Sequence, residues 1–397
     1  MTATPNIKPV FVIVLLMLFC WGCNNKSIND PSWKNQMPAF PDSITLQKVD
    51  TKNFLLDSVT ILKLESFQYY PQNNSVITYN SANSELLSYD YTTTKLLWKL
   101  DLKKVKIFPH RSGDSKAYSF RYLNSDSIFY YDYKKKMVTL FDTAGKLLRE
   151  YTVPDAAKNG FRLGRLSGRD PLIVTNDSIY IPSPPGRKTF DITAPLRDNL
   201  LLAISIKTGN AEPGIQYPAL YRQALWGDNF HDFYPVYNDK LKNIVISFPI
   251  MHTVSVYNPG GSVAEYYAGS TRVPQVTPLR FASDKTALVK MEDVTNYMSQ
   301  RCYTHMIYDP YRDLYYRLVT SSIPAKDFNA ARSLAYQREP FPVVILNGAM
   351  QKVGELDFDA NKYAVTSLFV SPEGLCLPLK KSGDESMIFD VFAPVKK

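Results

Sequence analysis

The chain has 397 residues, 45% of them apolar and 21% charged, with a formal net charge of +9. That balance excludes an intrinsically disordered chain and a polytopic membrane protein, and 13% aromatics beside only 17 Gly exclude collagen-like and low-complexity sequence. Four His and four Cys leave little material for a metal centre, so the 27 Tyr are the feature that needs explaining.

In chain order, Lys8 precedes an unbroken apolar run from Val10 to Cys20, followed by Trp21, Gly22 and Cys23. About a dozen apolar residues suit the hydrophobic region of a signal peptide and fall short of the roughly 20 that cross a bilayer. The segment Leu18-Phe19-Cys20-Trp21-Gly22-Cys23 resembles the lipobox of bacterial lipoproteins, with Gly22 as the small residue before the cut and Cys20 and Trp21 departing from the pattern. The resemblance implies removal of residues 1–22, acylation of Cys23, and a membrane partner reached through the lipid anchor. The alternatives are an uncleaved anchor or cleavage at an ordinary signal-peptidase site. Residues 23–43 carry Pro31, Pro38 and Pro41 among Asn, Ser and Asp and read as a flexible tether. Cys302 and Cys376 remain in the folded part, where an oxidising compartment would let them pair or burial would keep them as separate thiols.

Residues 44–397 read as one domain. The recurring unit is a short apolar, β-branched or aromatic run, a polar turn, and another such run. Runs at 75–79, 85–90 and 95–100 are followed by runs at 126–132, 137–142 and 146–151. In both copies a Tyr89-Asp90 or Phe141-Asp142 pair closes one strand, and Lys95-Leu96-Leu97 or Lys146-Leu147-Leu148 opens the next. Asp at a strand end bonds turn amides, and Gly145 supplies a positive φ. Looser copies follow at 177–209, 243–261, 303–358 and 367–392. Six meanders in about 350 residues exceed the usual length of compact blades. The Pro, Gly and Arg-rich insertions 154–171 and 182–199 account for the excess, as does 323–341, which holds one short predicted helix at 325–337. The pattern predicts an all-β fold, a β-propeller of six blades built from antiparallel meanders with one short helical insertion. Residues 44–49 are expected to add a strand to the last blade and so remove an open edge. Blades buried on both faces favour Tyr, Phe, Ile and Val. The rival architecture is a pair of β-sandwiches.

The lipobox-like start, the Asn/Ser/Pro tether and the meanders closing in Tyr-Asp or Phe-Asp are together similar to the six-bladed-propeller lipoproteins of Bacteroidetes, many known only as domains of unknown function. That resemblance implies an exported propeller at the cell envelope, as an outer-membrane lipoprotein, and carries no catalytic residue onto this sequence.

Chemical motifs are sparse. Gly160, Gly164 and Gly168 lack the strand and the Lys-Ser/Thr that complete a nucleotide loop, and there is no Gly-x-Ser-x-Gly elbow. His110, His231, His252 and His305 form no H-x-x-x-H pair, so no metal, cofactor or catalytic residue is assigned. The stretch around Trp226 and His231 reads either as an acid–base or sugar-stacking site, or as an aromatic-rich blade connection with a hydrogen-bonded His. Glu292-Asp293 and the Asp357/Asp359 pair read as solvated turns before they read as glycosidase carboxylates. Arg162, Arg165, Arg169 and Arg187 concentrate positive charge in the two Pro/Gly-rich insertions, where guanidinium forks suit carboxylate, sulfate or phosphate. Export makes a nucleic-acid partner unexpected despite the basic charge. The expected function is a ligand- or partner-binding module, with an acidic glycan as the foremost ligand. The alternatives are a glycan hydrolase or lyase at the propeller channel, and a non-catalytic scaffold holding an envelope protein.

Overall fold

The computed structural model describes residues 44–57, 64–105, 118–132, 135–154, 172–182, 199–227, 229–258, 261–281, 290–332, 338–380 and 385–397. All of them lie in one compact unit, Met37–Lys397. Six four-stranded antiparallel sheets follow one another along the chain, each a simple meander. Blade one runs from the innermost strand Leu64–Tyr70 to the outermost Leu96–Asp101, and blade two from Tyr118–Asn124 to Leu147–Thr152. Blades three, four and five begin at Ile173–Val174, Tyr234–Asn238 and Tyr303–Asp309. Blade six takes three strands from the end of the chain and its outermost strand from the beginning: Ile44–Leu55 pairs with Ser386–Lys396, from Ile44 opposite Lys396 to Leu55 opposite Ser386. The strand expected from residues 44–49 therefore exists and closes the ring.

The second strands show why this sequence makes blades. Ser75–Asn80, Asn243–Ser247, Leu314–Val319 and Gly374–Pro378 are buried at every position. A strand covered on both faces tolerates a continuous apolar run, whereas one half-exposed must alternate. Buried clusters join blade one to two, two to three, four to five, five to six and six to one. Aromatic rings cross these seams: Tyr70 meets Tyr122 edge-on at 4.9 Å, Phe54 meets Tyr89 at 5.5 Å, and Phe358 meets Phe392 at 5.0 Å. Such pairs add roughly 0.5–1.5 kcal/mol each beyond the area they bury. The tyrosine excess is thus largely material between blades.

The closing Asp of each early meander works as its type requires. Asp90 Oδ1 accepts the Thr93 amide at 2.6 Å, and Asp142 Oδ1 accepts the Lys146 amide at 2.8 Å. Gly145 holds φ at +78°, where a Cβ would stand 2.9 Å from Val105 Cγ2.

One expectation changes. The predicted helix at 325–337 is absent from the described part of that stretch, which makes only the 3-10 turns Ala325–Asp327 and Ala330–Arg332; residues 333–337 lie outside the described residues. Pro324 at the N-cap offers no side-chain cap, so nothing nucleates a longer helix there. Among the described residues the α-helix is Lys290–Met298, with Glu292 and Asp293 in its first turn, where negative charge interacts favourably with the helix dipole. Cys302 and Cys376 are both buried and free, and burial raises their thiols to about 11 and about 12.

The meander topology sorts the connections by face. Turns between first and second strands, and between third and fourth, are short and share one face; the long connections leave from the other.

Candidate functional site

An innermost strand has a neighbour on one side only, and its other edge looks toward the propeller axis. Every blade contributes such an edge to an axial cavity of about 310 Å³, lined among others by Gln68, Arg121, Ile173, Tyr237, His305 and Leu368, one from each blade in turn. Unpaired edge amides and carbonyls need partners. Gln68 supplies two of them, its Nε2 donating to Tyr122 O at 2.5 Å and its Oε1 accepting the Tyr122 amide at 3.1 Å. Ser119 Oγ likewise accepts the Leu172 amide at 3.0 Å. These bridges tie blade one to two and two to three around the cavity.

The backbone is irregular where it lines this space. Register shifts interrupt the innermost strands of blades one and five between Glu65 and Gln68 and between Tyr303 and Met306. Ser66 and Ser367, both lining the cavity, adopt φ of 57° and 63°. Bulges re-aim side chains, and non-Gly residues in the left-handed region carry strain of about 1 kcal/mol or more, a combination that clusters at binding sites.

Three groups give the cavity its chemistry. Arg121 is half-buried, and its shielded Nε has no hydrogen-bond acceptor among the described residues. Burial lowers its pKa, with the Asp239 carboxylate acting in the opposite direction. His305, from blade five, stacks on Tyr234 with ring centroids 5.2 Å apart, and its Nδ1 lies 3.1 Å from Thr304 Oγ1. Asp239 follows the innermost strand of blade four. Phe67, Phe120 and Tyr308 add apolar wall. Among the described residues no three His, Cys, Asp or Glu side chains come together as a metal site.

The sequence pointed elsewhere. Cys23 and the arginines Arg162, Arg165, Arg169 and Arg187 lie outside the described residues. Trp226 is fully buried, its Nε1 donating to Leu220 O at 3.4 Å. His231 is buried as well; its Nδ1 lies 2.6 Å from Gly227 O, and burial lowers its pKa. Tyr217 and Tyr221 donate their hydroxyls to the His231 and Phe230 carbonyls at 2.6 and 2.8 Å. Gly227 turns at φ +86° directly against the Asp293 carboxylate, and Phe230 meets Tyr297 of the helix edge-on at 5.3 Å. Trp226 and His231 thus sit inside a packed connection in which the His is hydrogen-bonded. Glu292-Asp293 sits on the helix, Asp357 pairs with Arg272 at 3.1 Å, and Asp359 accepts the Asn361 amide at 2.8 Å.

Arg121 was missed because it stands alone inside the strand Tyr118–Asn124. A single charged residue interrupting an aromatic run is the only local trace of its position, and His305 inside Tyr303–Asp309 leaves the same trace.

The family profile described as Domain of unknown function (DUF4221) matches residues 43–338. The chain belongs to the DUF4221 family. Among solved structures, a DUF4221 member from Bacteroides vulgatus superposes with a TM-score of 0.72 at 17% identity, over 90% of this chain and 99% of that one. A Bacteroides fragilis protein described as a candidate exported protein superposes with a TM-score of 0.50 at 11% identity, over 91% of this chain and 98% of that one. At these identities the likeness concerns the fold. None of the curated proteins compared with this DUF4221 chain matches it. Among the described residues no helix is long and apolar enough to cross a membrane.

Proposed function

We propose that this DUF4221 propeller is a binding module whose axial cavity takes a small acidic ligand, with Arg121 as the group that selects it. One observation carries the reading: a half-buried guanidinium, with a shielded and unused Nε–H, lines a cavity shared by all six blades. A shielded charged donor left without a partner carries a desolvation cost. A carboxylate or sulfate set against it recovers that through paired charge-assisted hydrogen bonds. The volume lies at the small end of the roughly 300–1,000 Å³ typical of ligand sites. One acidic sugar residue, or an organic acid of similar size, fits such a space, and the aromatic walls suit a sugar ring. Arg162, Arg165, Arg169 and Arg187 stand as a separate proposal, a second contact to the rest of an acidic glycan. The exported state, with acyl chains on Cys23 and an envelope location, is part of the same reading and is supported by the lipobox-like sequence and by the structural neighbour described as a candidate exported protein.

The test compares uronic acids and sulfated sugars with their neutral counterparts by thermal shift and calorimetry. Ligand at a hundred times its Kd adds about 2.7 kcal/mol, a shift of a few degrees for a domain of this size. Arg121→Gln is expected to abolish the preference for acidic ligands while leaving unliganded stability equal or higher, because it removes a charged group whose shielded Nε–H has no partner. Equal response to acidic and neutral sugars would sink the proposal. A second reading, a glycan hydrolase or lyase, is favoured by the presence of Asp239 and His305 in the same cavity. Release of reducing ends or unsaturated products from the bound glycan decides for it.

A further inference from the structure

The short-turn face has a second property. The chain enters the propeller there, because Ile44 lies opposite Lys396 at the end of blade six that faces the same way as the short turns. Exposed large apolar side chains gather on the same side: Leu96 and Leu97 in blade one, Leu147 and Leu148 in blade two, Leu241 in blade four and Tyr311 in blade five. Cations interleave with them, since Lys95 and Lys146 precede the leucine pairs and Lys240 and Lys242 flank Leu241. Asp90, Asp142, Asp239 and Asp313 lie on the same set of turns, Lys240 standing 3.8 Å from the Asp313 carboxylate. The charge is therefore close to balanced, and any attraction to a surface must come mainly from the leucines. Apolar side chains set among lysines are the composition of surfaces that rest at the headgroup boundary.

We propose that this face lies on the phospholipid surface, with the leucine pairs of blades one and two entering the headgroup layer. The proposal rests on the reading of Cys23 as the lipid anchor, which fixes the occupant. A tether of roughly 20 residues spans on the order of 25 Å on average, so the face holding Ile44 is the one kept nearest the bilayer. The opposite face, with the long connections, then points away from the membrane, and the axial cavity runs between the two.

The experiment uses the full-length protein in vesicles of phosphatidylethanolamine and phosphatidylglycerol containing nitroxide-labelled lipid. An environment-sensitive fluorophore is placed at Leu97→Cys, at Leu148→Cys, and at Lys326→Cys on the opposite face as control, with acylation of Cys23 checked by mass spectrometry. Cys302 and Cys376 are buried and stay unlabelled in the folded protein. Should a leucine variant fail to fold, Lys95→Cys reports on the same turn. Blue-shifted, quenched emission at 97 and 148 with water-like emission at 326 is the expected result. Water-like emission at all three sites in an acylated protein overturns the docking and leaves the anchor standing. Quenching at 97 and 148 in a protein without acyl chains overturns the anchor and leaves the docking standing.

Discussion

Two arginines, Arg317 buried and Arg121 half-buried, show how much a single residue's environment decides its role. Arg317 is fully buried between blades four and five. Its Nε donates to Ser247 Oγ at 2.8 Å, Nη1 to Ala268 O at 3.0 Å, and Nη2 to Phe248 O and Met251 O at 3.1 and 2.7 Å. The guanidinium also lies 3.5 Å from the centroid of the Tyr303 ring, and burial lowers its pKa to about 10. Four donations to one hydroxyl and three carbonyls leave this group committed to joining two blades, whereas Arg121 keeps its Nε–H unused beside a cavity. Arg317→Met strands three buried carbonyls. It is expected to cost about 3–5 kcal/mol, read as a lower urea midpoint, with Arg317→Lys recovering little because an ammonium cannot reach four acceptors in that geometry. A loss under about 1 kcal/mol would mean that the carbonyls find other donors.

The closing strand concentrates its polar contacts on Asp390. Lys48 and Thr51 of that strand reach Asp390 Oδ1 at 2.7 and 2.8 Å, while Lys362 and Tyr363 reach Oδ2 at 3.1 and 2.8 Å. Burial pushes the carboxyl up, but these partners outweigh it and hold the pKa down at about 2, against 3.8 for an unperturbed Asp. The folded value is the lower one. The contribution is therefore present above about pH 4 and disappears as pH falls from about 4 to about 2. Because Lys48 and Lys362 are half-exposed and screened, it amounts to about 1 kcal/mol. Amide exchange in residues 44–55 is expected to quicken over that acid range, and Asp390→Asn to remove the pH dependence. The same strand was legible in the sequence, since Ile44, Leu46 and Val49 are set among Thr45, Gln47 and Lys48, and so were the Asp-capped turns at 90 and 142. The innermost strands of the first four blades were not. Ile173–Val174 is two residues long, Leu64–Tyr70 is broken by a register shift, and side chains on such strands face two neighbouring blades and the axis, which erases alternation. The cavity is built from those strands, so the site stayed hidden for the same reason that they did.

At the scale of the whole molecule, one ring closed by its two ends serves one cavity to which all six blades contribute. No blade can leave its place without widening that cavity, and the first and last strands in sequence hold the circumference together. A ligand that prefers the intact cavity therefore stabilises the closed ring by mass action, at a strand it does not touch. At a hundredfold excess over Kd the opening of the 44–55 strand should slow by up to about a hundredfold where opening of the ring is the route to exchange. Hydrogen exchange with and without the acidic ligand measures this at Ile44–Leu55 and Ser386–Lys396, and Arg121→Gln should remove the difference. If the ligand protects only the innermost strands, closure and binding are independent, and blade six frays without disturbing the cavity. Protection of the outermost strand of blade six means instead that the seam and the site share one opening event, which the meander topology and the seam contacts favour.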